Sequence, residues 1–366
     1  MSPVVRRSVL ALALVALFAL VPFIGLQLPW VLPSTVNVVN STGTLEVLAL
    51  CFIFAGVALG YDVIFGYTGL LSLGPVMYFA TGVYVFDITL THWNWPVLPA
   101  LVATFAASLV LAVIFGAVAL RVSGIAFTMV TLAFAQAFYY LIEDNPHGLT
   151  GGDTGLALYS SRLPGFMSGA VSNTRNLYWI ALGFLVVSYA VVWLVTESAT
   201  GHVFVAIREN ERRLEVLGIQ PFRYKLAAYT LSSLVATGGG VAYILLIGTA
   251  VPSAVASVTV TLSILIMVVL GGAGTRWGAV TGAMLYVYLQ QYLLKVAAEP
   301  SFTRLPAILR VPLSQPQFLL GAIFVLFVIF VPGGLAGVVT RRRVRAAARR
   351  FDRTSAAPTT VPMEEL

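Results

Sequence analysis

Long apolar runs, interrupted by short polar segments, follow one another from the first residues of this chain almost to its end. The runs are about 16 to 25 residues long, the length a helix needs to cross the hydrocarbon layer of a bilayer. A helix satisfies its backbone polar groups within itself, so it tolerates lipid where an open strand does not. A membrane barrel would show strands of about ten residues with alternating polarity, and no such alternation runs through these segments. Charged residues make up 10% of the 366, against about 25% in soluble domains. The expected fold is therefore all-α: a polytopic helical membrane protein embedded in the lipid bilayer.

The pattern predicts ten spans, at about 8–28, 45–65, 70–90, 97–119, 124–142, 177–196, 225–248, 257–273, 278–296 and 317–335. Arg6 and Arg7 precede the first run as they would in a signal peptide. That run continues to Leu28 without a small-residue cleavage site, so an uncleaved helix is expected. With the N-terminus inside, sixteen of the 21 basic residues fall on the cytoplasmic side and five outside. This bias places both termini in the cytoplasm. It also accounts for the net charge of +7 without nucleic acid, because the basic residues cluster beside the spans. The lone Cys51 lies inside an apolar run and reads as a small packing residue.

Residues 1–340 read as one transmembrane domain, with an external loop at 143–176 and a cytoplasmic loop at 197–224. Residues 341–366 read as a basic stretch followed by a disordered cytoplasmic tail of small, polar and proline residues. Gly66–Tyr84 and Gly271–Tyr288 are both Gly-punctuated runs leading into apolar helices. They suggest a five-plus-five repeat, inverted because each half has an odd number of helices, with a path at the repeat interface.

Several segments carry chemistry. In Gly66–Pro75 (GYTGLLSLGP), glycine and proline break a helix near membrane depth. Such a break is viable where protein or a water-filled cavity surrounds it, and its backbone groups can then hold a polar ligand. Tyr67, Thr68, Gly69, Ser72 and Gly74 are thus candidates for a translocation path; a tight turn or a small-residue packing surface reads equally well. Thr128 and Thr131 share a helix face, and Gln136 adds another polar group to that span. All three are path candidates, although threonines often bond back to their own helix and glutamine can join helices. The external His147–Leu156 loop, with one His and one Asp153, is a poor metal site. It reads as a shaped outer mouth, a contact for a solute-binding protein, or a plain turn.

In the cytoplasmic loop, Val203, Ala206, Ile207, Leu214 and Leu217 follow helical spacing, with Arg208, Glu209, Arg212 and Glu215 elsewhere around the helix. Gly218 is a natural helix stop and Pro221 prevents continuation. Charges of both signs fit a protein partner better than a membrane surface, which would favour a basic face. Gly271, Gly272 and Gly274 lie in a Gly-rich link that lacks the Lys-Ser/Thr of a phosphate-binding loop; they join the path candidates. No ATPase domain is visible, so an ATP-driven motor would be a separate chain.

Two other classes fit less well. An ion-coupled carrier or channel usually needs charges within its spans, whereas Glu46, Asp62 and Asp87 all lie near span ends. A membrane enzyme would need clustered catalytic groups, and His92, His147 and His202 fall in different loops.

Taken together, GYTGLLSLG at 66–74, RVSGIAFTMVTLAFAQ at 121–136, LTGGDTGL at 149–156, AIRENERRLEVLGIQPFRYK at 206–225, VVLGGAGTRWGAVTGA at 268–283 and VPGGLAGVV at 331–339 resemble, in order, the permease family of branched-chain amino-acid ABC importers, in its longer type. The resemblance implies a multi-pass permease of the bacterial plasma (inner) membrane. Its implied partners are two ABC ATPase subunits, a second homologous permease and an extracytoplasmic solute-binding protein. No cofactor is implied in this chain, since ATP is bound by the partner subunits. By the same resemblance, Ile207, Arg208, Glu209, Asn210, Glu211, Arg212, Glu215 and Gly218 form the helix that docks on the ATPase. The chain departs from the family pattern at Arg212, Arg213 and Leu214, where small residues are usual, and at Pro75, where relatives carry His. Family members also move urea and short amides.

Overall fold

The structure, a computed structural model, describes residues 18–23, 40–158, 163–165, 173–297, 315–331 and 333–338. The predicted tail at 341–366, most of the first span and parts of the external loop lie outside the described residues.

Helices occupy the second to the tenth predicted spans. They are α1 (Thr42–Asp62), α2 (Pro75–Thr91), α3 (Val97–Ala119), α4 (Ile125–Glu143), α5 (Thr174–Glu197), α7 (Pro221–Ile247), α9 (Val258–Gly271), α10 (Arg276–Ala297) and α11 (Pro316–Phe330). The predicted cytoplasmic loop forms α6 (Ala199–Val216), and a single turn, α8 (Pro252–Val255), precedes α9. Among the described residues, six helical stretches are long and apolar enough to cross a bilayer: 42–67, α3, α4, α5, α7 and 252–271.

Helix ends follow local chemistry. Ser41 caps α1 by accepting Thr44 N at 3.3 Å, satisfying a donor that the first turn leaves unpaired. Pro75, Pro221, Pro252 and Pro316 each start a helix, where a missing N–H costs nothing. Gly248 ends α7 at φ 77°.

Two helices are central. α1 is buried nearly all round along its second half, and α7 along most of its length. They pack on each other, and α2, α3, α5, α9 and α10 pack around them. Small residues make the close approaches possible. A Cβ at Gly82 would press on the Thr237 carbonyl, and one at Gly240 on the Phe79 carbonyl. α3 buries a stripe spaced four apart (Ala100, Thr104, Ser108, Ala112 and Gly116), and Ser108 bonds Thr237 of α7 at 2.5 Å. Its opposite face exposes Leu98, Val102, Val110 and Ile114. That arrangement, small residues inward and large apolar ones outward, suits a helix whose solvent is lipid.

The packing partners repeat. α1 lies on α10 as α7 lies on α3; α2 lies on α7 as α9 lies on α1; α2 pairs with α3 as α9 pairs with α10. These are the pairs that a five-plus-five division equates. In that scheme the non-helical stretch after α1 matches the one after α7, not the 272–275 link. Gly66–Tyr84 and Gly271–Tyr288 therefore hold different places, and their glycines answer different close approaches.

Beyond α7, β2 (Thr249–Ala250) pairs antiparallel with β1 (Leu156–Ala157) of the predicted external loop. Leu158 N also donates to Gly248 O at 3.0 Å, and Tyr84 donates to Ala250 O at 2.9 Å. Within the loop, Asn145 Oδ1 accepts from Thr150 N and Gly151 N at 2.9 and 3.0 Å. The Gly-rich segment is thus a clasp on the chain that leaves α7.

Overpacking a close helix crossing costs about 1–3 kcal/mol or more. Gly82→Val and Gly240→Val are expected to lower the thermal unfolding midpoint of the detergent-solubilised protein sharply. Gly183→Ala, where a Cβ meets nothing within 4 Å, is expected to leave it unchanged or higher.

Candidate coupling site at a broken span

The end of α1 is where the predicted path and docking residues meet. After Asp62 the helix widens into a π turn, Val63–Tyr67. Thr68 N and Thr68 Oγ1 both donate to Val63 O, at 3.1 and 2.8 Å, and Leu70 N reaches back to Ile64 O at 2.9 Å. Gly69 then turns the chain at φ 77°, a conformation that costs glycine little.

The extended stretch up to Pro75 is held by neighbouring side chains. Tyr61 donates to Ser72 O at 2.9 Å, Thr128 to Leu71 O at 2.8 Å, and Thr131 Oγ1 accepts Leu73 N at 3.1 Å. Ser72 Oγ accepts Gly74 N at 3.2 Å. Thr128 and Thr131 do share a face, as their spacing predicts. Their hydroxyls, with that of Ser72, pair with the chain here: a buried N–H or C=O without a partner costs about 1–3 kcal/mol, and these hydroxyls meet that need for Leu71 O, Leu73 N and Gly74 N. Tyr67 and Gln136 are half-buried and Gly69 is exposed; Gln136 joins none of these bonds.

The 272–275 link lies beside this break. Gly274, at φ 81°, donates its N–H to Asp62 Oδ1 at 2.8 Å. Gly272, at φ 108°, faces the opposite way: a Cβ there would stand 2.8 Å from Gly333 O. A Cβ at Gly271 would collide with the Gly278 carbonyl, so this glycine closes the α9–α10 crossing. Of the three path glycines, Gly274 alone among these contacts joins the break.

α6 covers the same end. It runs from Ala199 to Val216 but bends at Asn210, whose backbone is extended (φ −163°, ψ 97°). Asn210 Oδ1 accepts Arg213 N at 3.2 Å, capping a second short helical segment. The bend shifts the buried face. Of the residues at helical spacing, Ile207 and Leu214 are buried, Phe204 joins them, and Leu217 is 75% exposed beside Val216 at 88%. A straight helix from 203 to 217 is thus corrected to two segments with an apolar tip outside. Arg208, Glu209, Asn210, Arg212, Glu215 and Gly218 are all exposed. Gly218 ends the helix at φ 80°, with Ile219 N on Leu214 O at 3.0 Å and Gly218 N on Glu215 O at 3.0 Å, a Schellman stop.

Two polar contacts bind α6 to the bundle, and two more hold the end of α5 that leads into it. Arg208 Nη1 donates to Gly66 O inside the π turn. Glu211, half-buried, pairs with Lys225 in the first turn of α7. Just before α6, Glu197 pairs with Arg276 at 2.6 Å, and Arg276 also donates to Thr196 Oγ1 at 2.9 Å. A cleft of about 520 Å³ lies alongside the second segment, lined by Leu120, Glu211, Glu215, Gly218, Phe222 and Lys225 among others. The sequence reading missed the parts of Asp62, Tyr61 and Arg276. Only Asp62 left a signal, a carboxylate four residues before Gly66 at a span end.

The broken span and the mixed-charge helix thus meet at one end of the bundle. A family model described as "Branched-chain amino acid transport system / permease component" matches residues 43–331. The chain belongs to this family. The permease is 28% identical over 322 residues to the high-affinity branched-chain amino acid transport system permease protein LivM of Escherichia coli K12, covering 81% of this chain and 70% of the relative. The corresponding protein of Salmonella typhimurium LT2 is 27% identical over 320 residues, with the same coverage. A probable branched-chain amino acid transport permease protein LivM of Methanocaldococcus jannaschii is 25% identical over 163 residues, covering 43% of this chain and 45% of that one. No solved structure matches the permease.

Thr131→Val keeps the shape but leaves Leu73 N unpaired. It is expected to destabilise the detergent-solubilised permease by about 1–3 kcal/mol, and Thr131→Ser to restore most of the loss. Thermal unfolding of the two variants checks this.

Proposed function

We propose that this chain is the membrane-spanning permease subunit of an ABC importer in the bacterial inner membrane, carrying branched-chain amino acids. Two separate ATPase subunits drive it, a second homologous permease completes the pathway, and an extracytoplasmic solute-binding protein delivers the substrate. The observation that carries this reading is α6, exposed along its charged face and bonded at its base to the broken span through Arg208 and Gly66. The family match and the printed names of the relatives support the substrate class.

In this reading α6 sits on the cytoplasmic side and seats on the ATPase through Glu209, Asn210, Arg212 and Glu215, with Val216 and Leu217 as its apolar tip. Closure of the ATPases on ATP displaces α6, and the displacement reaches the π turn and α1. The bundle then exposes its path to one side or the other, so no covalent chemistry on the substrate is needed. The path runs beside the break, past Tyr67, Gly69 and the Gln136 face of α4. Thr68, Ser72, Gly74, Thr128, Thr131, Gly271, Gly272 and Gly274 shape it from behind.

The complex in proteoliposomes is expected to accumulate leucine only with ATP and the binding protein present. Uptake by this chain without ATPases, driven by an ion gradient, would overturn the reading. Charged groups at a docking surface are each worth about 1–3 kcal/mol when paired. The triple variant Glu209→Ala, Arg212→Ala, Glu215→Ala is therefore expected to lower ATPase co-purification at least tenfold while inserting normally in the membrane.

A further inference from the structure

Asp62 closes α1, is fully buried, and has no part in the scheme above. Its Oδ1 accepts the Gly274 N–H at 2.8 Å. Its Oδ2 is buried and has no hydrogen-bond partner among the described residues. An ionised carboxylate removed from water needs a cation or several donors. One backbone N–H does not meet that need.

A cation lies close by. Arg208 Nη1 donates to Gly66 O, four residues after Asp62. A Cβ on Gly274, the residue already bonded to Asp62, would stand 3.0 Å from that same Nη1. Arg208 is also near enough for its charge to act on the Asp62 carboxyl. A guanidinium offers five donors in a planar fork suited to a carboxylate, and a carbonyl oxygen on one nitrogen leaves most of them for other partners.

We propose that Asp62 is the positioning residue of the coupling step, the carboxylate onto which Arg208 closes when the ATPases drive α6 against the broken span. In the present arrangement Arg208 holds the Gly66 carbonyl. In the closed one its fork reaches Oδ2, which fixes α6, the end of α1 and the 272–275 link as one unit. The displacement thereby gains a contact made in one state and absent in the other, the condition for any partner to shift a conformational equilibrium. This rests on the reading of α6 as the ATPase-docking helix. If Asp62 serves only to hold the Gly274 link, asparagine replaces it without loss, because its side-chain oxygen accepts the same N–H.

The test uses the full complex in proteoliposomes, with leucine uptake and ATP hydrolysis measured in the same vesicles. Asp62→Asn is expected to lower leucine moved per ATP about tenfold, a usual size for coupling between sites. Arg208→Gln is expected to do the same, and the double variant to be no worse than either single one. Wild-type uptake per ATP in Asp62→Asn, or losses that multiply in the double variant, would overturn the proposal alone. A wild-type complex that hydrolyses ATP without moving leucine would overturn the functional reading together with it. A second measurement leaves both residues intact: spin labels at Val205→Cys and Leu71→Cys, in a Cys51→Ala background. Their separation is expected to shorten from the nucleotide-free to the vanadate-trapped complex, and an unchanged separation counts against the closure even where Asp62→Asn fails to assemble.

Discussion

Backbone polar groups near membrane depth must find partners inside the protein, and the stretch from Thr68 to Gly74 is where this constraint is hardest to meet. Thr68, Ser72 and Gly74 are buried there, and each buried group left unpaired is costly. The helix therefore does not simply stop. It widens into a π turn, folds Thr68 back on Val63, and hands its next groups to Tyr61, Ser72, Thr128 and Thr131. Two helices, α1 and α4, and the segment's own Ser72 contribute to one short stretch. The break is consequently a fixed part of the bundle, and whatever moves it must also move α1, α2 or α4.

α6 is tied to this fixed break by contacts of unequal weight. Surface ion pairs such as Glu197 with Arg276 contribute little on their own. Arg208 does more, because its partner is a carbonyl within the π turn. The wider hydrogen-bond rings there already depart from the α-helical ladder, and such single-turn widenings occur often at functional sites. A pull on Gly66 acts at the point where α1 has the least helical cooperativity to resist it.

Much of this was legible in the sequence. Apolar runs placed nine helices, Gly218 and Pro221 marked where α6 ends and α7 starts, and the mixed charges marked α6 as exposed. What was not legible follows from distance along the chain. Asn210 breaks the phase of α6 through a backbone conformation that no spacing rule shows. The bonds of Thr128 and Thr131 were not visible because their partners lie nearly sixty residues earlier. Asp62 and Gly274, more than two hundred residues apart, meet only once α1 and α10 pack. The two Gly-rich stretches looked alike because glycine records a close approach without recording what is approached.

The two ends of the bundle now pose different mechanical problems. At the α6 end, the break after α1 is gripped by a helix with an exposed charged face. At the other end, the chain after α7 is gripped by the Gly-rich loop through β1 and β2 and by Tyr84. Equivalent places in the two halves thus carry unlike clasps. α1 and α7 pack directly on each other through small-residue contacts such as Gly60 under Val235, and close-packed cores switch between arrangements rather than stretch. A shift of α1 at the α6 end therefore reaches α7 as a change of packing, and α7 ends at the clasp beyond Gly248. In the importer reading proposed above, such a shift loosens one clasp as it tightens the other.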